Sequence, residues 1–248
     1  MPSIDIGQTL SQGWMTFFKN PGTLLAGTLL GGLLIFGIAS IPFLRFFVQS
    51  VLIGPLLGGL YLLYLRQIRT GSTEIGLVFT AFSLRFFQCM MVNLIPLLLN
   101  LAISLPLISG LIMIVVGEGL ALGSLIQSPG ELSAAIAVLS AGVLFFWILL
   151  LIGTVLLTWV LSTLWIFALP LVADKGYDFW PALQLSRKVV SKQFLLTFFF
   201  LLVLGVLSSL GSFACCLGIL ISIPVALCSL CHGYETLFGR LRPKKATL

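Results

Sequence analysis

The chain has 248 residues, 59% of them hydrophobic and only 8% charged, and its 13 Lys and Arg against 7 Asp and Glu give a formal net charge of +6. A soluble domain carries about 25% charged residues. This chain has too few to coat a water-facing surface, so lipid must solvate most of it. The positive balance does not point to nucleic acid, because the basic residues flank apolar runs, where the positive-inside rule puts them. Residues 1–8 hold no basic group, so a cleavable secretory leader is not expected.

A spanning helix needs about 20 mostly apolar residues. The first such runs are 22–41 and 46–65, joined by a turn at 42–45. A third starts at Cys89, reaches about Gly117 and contains Pro96 and Pro106; a polar interval with Glu118, Gln127, Pro129, Gly130 and Glu131 follows. Residues 132–173 are uncharged throughout. As one helix they would extend roughly 60 Å, about twice the hydrocarbon thickness. Residues 194–234 suffice for two spans that turn near 211–218.

Charge fixes the parity. With six spans and a cytoplasmic N-terminus, 12 basic residues fall inside, from Lys19 to Lys245, and only Arg45 falls outside. Dividing 132–173 at Gly153 would reverse the later loops and expel the cluster at Arg187. A single crossing avoids this. So does an eight-span arrangement in which 89–122 also folds as two short spans. Six spans with both termini cytoplasmic is the expected topology.

Each cytoplasmic segment ahead of a pair of spans is amphipathic. In the first, Ile6, Leu10, Trp14, Phe17 and Phe18 lie opposite Asp5, Gln8, Ser11 and Gln12. In the second, Ile75, Phe79, Phe82 and Phe86 follow Glu74. In the third, Asp178 stands at an N-cap position, and Gln184, Arg187, Lys188, Ser191 and Lys192 oppose Phe179, Ala182, Leu183, Val189 and Val190. Such helices lie in the headgroup plane with basic groups toward phosphate. Ile6-Gly7, Leu10 and Phe17-Phe18 align without gaps on Ile75-Gly76, Phe79 and Phe86-Phe87, which suggests one membrane domain over 1–248 with repeats 4–66, 73–173 and 178–238.

Three stretches carry a resemblance. They are Leu169-Pro170-Leu171-Val172-Ala173-Asp174 with Phe179-Trp180-x-Ala182-Leu183-x-Leu185-Ser186-Arg187-Lys188, then Arg69-Thr70-Gly71 ahead of Ile75-Gly76-x2-Phe79, and the closing Gly218-x5-Pro224-x9-Tyr234-x2-Leu237-Phe238-Gly239. Together they resemble a broad family of uncharacterised bacterial multi-spanning membrane proteins, related to the membrane domain of some glycerophosphodiester phosphodiesterases. The chain departs from that pattern in the longer region 105–151. The resemblance implies spans with interfacial helices in a bacterial inner membrane, and no particular activity.

Sites of chemistry are few. Cys228-Ser229-Leu230-Cys231-His232 spells the c-type haem attachment motif. It lies in an apolar span toward the cytoplasmic end, and His232 is the only histidine, so small apolar packing is the preferred reading. Cys215-Cys216 is read the same way. Gln49, Asn93 and Asn100 are intramembrane polar residues, and Asn93 with Asn100 forms a candidate polar site among the helix-breaking prolines. Gly27-x3-Gly31 and Gly54-x3-Gly58 are helix-packing motifs. No nucleophile–base pair, paired carboxylates, metal-ligand cluster or phosphate loop is evident.

The expectation is therefore an all-α polytopic protein with about six transmembrane helices and three amphipathic interfacial helices. It is expected to be non-catalytic and without cofactor, associating with lipid headgroups or other membrane subunits through Trp14, Arg66, Arg69, Arg85, Arg187, Lys188 and Lys192. A transporter or channel for an apolar or lipidic substrate is the alternative. The resemblance implies localisation in the bacterial cytoplasmic (inner) membrane.

Overall fold

The computed structural model describes residues 4–40, 48–125, 132–213 and 217–241. Arg45 and its turn, residues 127–131, Cys215–Cys216, Arg242, Lys244 and Lys245 lie outside the described residues, as do the side chains of Gln49 and Glu118. Among the described residues every regular element is helical. Five segments are long and apolar enough to cross a membrane, and a sixth is added when the first two helices are taken as one bent span. The chain is an all-α, polytopic membrane protein.

Helix α1 (Ile6–Lys19) starts at Asp5, whose side chain accepts the Gln8 N–H at 3.1 Å and so fills an N-cap role. At Asn20 the backbone leaves helical conformation, and α2 (Pro21–Ala39) restarts at a proline whose missing N–H costs nothing at a first helical position. The axis turns by 98° there, as an interfacial helix leading into a span requires.

A π-helical turn, Val48–Leu52, leads into α3 (Ile53–Thr70). Helices α2 and α3 pair antiparallel. Gly27 and Gly31 receive the side chains of Leu63 and Leu60, and Thr28 Oγ1 and the Tyr64 hydroxyl lie 2.6 Å apart. The Asn20 amide donates to Gln67 Oε1 at 3.4 Å at the end of this ladder. Both glycines thus work as close-packing positions.

The second amphipathic segment is not one helix. Ile75–Phe79 is a 3-10 turn and α4 (Thr80–Leu84) is a single α turn. The segment lies along α3, where Gly59 packs on the Val78 backbone, Gly58 faces Ala81, and Thr73 Oγ1 donates to Leu63 O at 3.2 Å. The glycine face of α3 lets backbone approach backbone, and that approach shortens and splits the helix predicted from periodicity.

Helix α5 (Phe86–Leu125) runs through Pro96 and Pro106, and α6 (Leu132–Trp165) runs through Gly153. The eight-span alternative is therefore absent, because the breaks it needs fall inside continuous helices, and the preferred single crossing agrees with α6. A turn at Ile166–Phe167 precedes α7 (Ala168–Lys175), followed by α8 (Phe179–Val190), the 3-10 turn Ser191–Gln193, α9 (Phe194–Phe213) and α10 (Leu217–Phe238). Through that 3-10 turn α8 and α9 form one helical segment, Phe179–Gly211.

The chain forms two compact units. The first, Met1–Pro96 with Thr163–Leu248, holds a core in which Tyr64, Phe167, Phe200, Tyr234 and Phe238 are fully buried. The second, Leu97–Ser162, is built from the later part of α5 and the earlier part of α6. Gly110 there meets the Trp147 indole so closely that no Cβ would fit. Leu105, Leu111, Phe145 and Leu156 are exposed, while Ser104, Ser109, Thr154 and Thr158 return their hydroxyls to carbonyls of their own helix. Apolar surface with internally satisfied hydroxyls suits a lipid solvent.

Candidate functional site

Two helices of the first unit end in the same way. Arg69-Thr70-Gly71 closes α3 and Asp174-Lys175-Gly176 closes α7, and each glycine takes the left-handed conformation at φ +74°. Each cap therefore carries a charged residue two positions earlier, and the two charges meet. Arg69 Nη1 and Nη2 donate to Asp174 Oδ1 and Oδ2 at 2.5 and 2.8 Å, and Arg69 Nε donates to Glu235 Oε1 at 2.6 Å. The Tyr234 hydroxyl donates to Asp174 Oδ2 at 3.1 Å, and Lys175 Nζ reaches Asp174 at 3.7 Å and Gly239 O at 3.4 Å.

This knot ties the ends of α3, α7 and α10. The Asp174 side chain is only 8% exposed and that of Arg69 39%. The forked guanidinium geometry is what makes so buried a carboxylate tolerable. Its charges, two of each sign, are spent on each other. Arg85 is also turned inward, donating to Gly176 O at 2.8 Å, and Gln88 Oε1 accepts the Phe179 N–H at 2.8 Å, the first helical N–H of α8. Asp178 holds the N-cap position of α8 as expected, but the Phe179 N–H is satisfied by α5.

Arg69 and Arg85, read in the sequence as headgroup contacts, are thus held by intramolecular bonds. Arg66, Arg187, Lys188 and Lys192 are exposed, and none makes an ion pair among the described residues. On α8 and α9 the exposed positions Trp180, Gln184, Lys188, Lys192, Leu195 and Phe199 form one stripe at helical spacing, with Arg187 beside it. The basic band ends one turn before the lipid-type surface of Leu195 begins.

Trp14 is exposed as well, on a face it shares with Phe18 at a ring-centroid distance of 5.1 Å. Helix α1 buries Phe17 together with a small-residue strip, Thr9, Gly13 and Thr16, of which Gly13 and Thr16 meet α10. Gly13 sits against the Ser229 backbone with no room for a Cβ, and Thr16 Oγ1 is 2.8 Å from His232 Nε2. Periodicity had found the apolar face of α1 but not this small-residue seam.

The haem-type motif belongs to the same packing. Cys228 and Cys231 are buried free thiols in the core, and the imidazole nitrogen of His232 is engaged by Thr16. A macrocycle needs its edge at both sulfurs and its iron at the imidazole, so these residues do not fit one. Among the described residues no group of three or more His, Cys, Asp or Glu is placed to hold a metal.

Asn93 lies near Gly54 of α3, and Asn100 follows about two turns further along α5 with a buried Oδ1 that has no hydrogen-bond partner. Two apolar clefts do open on the first unit. One of about 200 Å³ lies among Leu34, Leu52, Leu56, Phe79 and Phe82. The other, about 230 Å³, lies between α2 and α10. Comparison with known proteins finds no matching family model, no matching curated protein and no matching solved structure.

Proposed function

We propose that this is a non-catalytic protein of the bacterial cytoplasmic membrane, with both termini cytoplasmic, that acts by associating with anionic lipid headgroups. The observation that carries the reading is the unpaired basic band Arg187, Lys188 and Lys192, set one turn before exposed Leu195 and Phe199 on one stripe. Lys188 and Lys192 stand four residues apart on a helix, a like-charge pair that costs stability without a counter-charge. Lipid phosphates supply that counter-charge where the apolar stripe begins.

Each cation near an anionic surface contributes about 1 kcal/mol. Replacing Arg187, Lys188 and Lys192 together by Ala is expected to lower the preference for phosphatidylglycerol over phosphatidylcholine roughly a hundredfold, measured as lipid retention by native mass spectrometry. An unchanged preference overturns the headgroup reading. If subunits that co-purify with the native chain are lost instead, the band serves a larger membrane complex. Turnover of a lipid phosphodiester by the purified chain would overturn the non-catalytic reading.

A further inference from the structure

The α2–α10 cleft is walled by Leu25, Gly32 and Phe36 on one side and Ile219 and Pro224 on the other. Phe36 is 74% exposed, so this wall faces the lipid. A Cβ built on Gly32 meets nothing within 4 Å, so the helix face at this point opens onto empty space. Helix α1 bounds the cleft at one end. It joins α2 at Asn20, five residues before Leu25, and crosses α10 at Ser229, five residues after Pro224. At 1.5 Å per residue both points lie roughly 8 Å beyond the cleft. With a 98° turn between α1 and α2, α1 lies across the head of the cleft rather than alongside it.

That head is charged and aromatic. Lys19, the last residue of α1, is exposed and unpaired among the described residues. Exposed Arg66 is the sequence neighbour of Gln67, which accepts a hydrogen bond from the Asn20 side chain next to Lys19, so both cations stand at the same end of the α2–α3 pair. Trp14 and Phe18 present an exposed aromatic pair on the same short helix. A cation and aromatics at the head of an apolar, lipid-facing cleft match one molecule, an anionic glycerophospholipid with one acyl chain in the cleft.

We propose that the α2–α10 cleft is a specific site for one acyl chain of an anionic phospholipid, whose phosphate is met by Lys19, with Arg66 at the same end of the helix pair. The site is separate from the α8–α9 basic band and does not depend on it. Gly32 is the opening for the chain, and the docked α1 is the lid that fixes the headgroup.

The test uses the full chain in vesicles of equal phosphatidylglycerol and phosphatidylcholine, with a trace of either lipid carrying a diazirine near the middle of one acyl chain. After photolysis, adducts are mapped by peptide mass spectrometry. The expected result is severalfold more adduct at Leu29, Leu33 and Ile223 than at the lipid-facing control Phe199, for the phosphatidylglycerol probe only. Gly32→Leu, which the open space accommodates, is expected to bring cleft labelling down to the control level. Lys19→Gln is expected to reduce the phosphatidylglycerol preference about fivefold without lowering total labelling. Cleft labelling equal to that at Phe199, equal labelling by both probes, or labelling unchanged by Gly32→Leu would each overturn the site. A preference unchanged in Lys19→Gln would overturn the headgroup assignment. The triple alanine variant of the basic band should leave all cleft adducts in place.

Discussion

A charged side chain at the end of a span has two uses, and Arg69 shows how hard they are to separate in a sequence. Its position after an apolar run suggests phosphate contact. In the structure its guanidinium is occupied by Asp174 and Glu235, which lie 105 and 166 residues further along the chain. Separation of that size leaves no trace in local periodicity. The only nearby signal is the repeated glycine cap, Arg69-Thr70-Gly71 and Asp174-Lys175-Gly176, visible once both glycines are known to have positive φ. Removing Arg69 would leave a nearly buried carboxylate with only Lys175 and Tyr234 beside it. Breaking a buried pair costs about 3–5 kcal/mol, and screening of the half-exposed guanidinium lowers this to about 2 kcal/mol. Arg69→Ala should therefore lower the thermal midpoint in detergent clearly, and Arg69→Lys should recover only part, because an ammonium cannot bridge both carboxylate oxygens. A midpoint unchanged in Arg69→Ala would show that the knot contributes no stability.

At the scale of elements, apolar periodicity found α1 and the part of its docking made by Ile6, Leu10 and Phe17, but not the small-residue contact with α10. The spacing of Ile6, Leu10, Trp14 and Phe17 gives a helix whose apolar arc is half buried and half exposed. That contact is made by Gly13 and Thr16, residues that periodicity counts as neutral. Small residues allow backbones to approach, which is how helices associate where lipid removes the hydrophobic drive. Gly13→Val should detach α1 while leaving the other helices folded. The check is faster amide exchange confined to residues 6–19, and protection retained there would refute the seam. The second amphipathic segment shows the opposite case. Its helical pattern is overridden because Val78 is drawn backbone-first onto Gly59, so Gly59→Val should displace residues 73–84 and destabilise the whole first unit. Mobility restricted to a surface loop in that variant would contradict the packing.

For the molecule as a whole, composition and apolar runs made the class and the number of helices legible, because a lipid solvent imposes both. The continuity of α5 and α6 agrees with the six-span reading, in which each run crosses once. Pro96, Pro106 and Gly153 are helix breakers in water, yet a span keeps its helix around them because no other backbone partner is within reach in lipid. Parity rests on charge alone, and it has a direct check. Single cysteines placed at Ser72 and Gln184, in a chain whose own cysteines are replaced, should both react with a membrane-impermeant maleimide only in inverted vesicles. Reaction from opposite sides would remove the six-span topology.

The seam between α1 and α10 also bears on how the protein is made. Thr16 and His232 are 216 residues apart, and Arg69 waits for Glu235 across 166. A chain emerging from α1 toward α10 therefore threads five helical spans before either contact can close. Until α10 arrives, the small-residue strip of α1 is bare and the Arg69 guanidinium lacks its full set of acceptors. The last span thus completes what the earlier ones begin, and a chain halted before α10 would carry both defects.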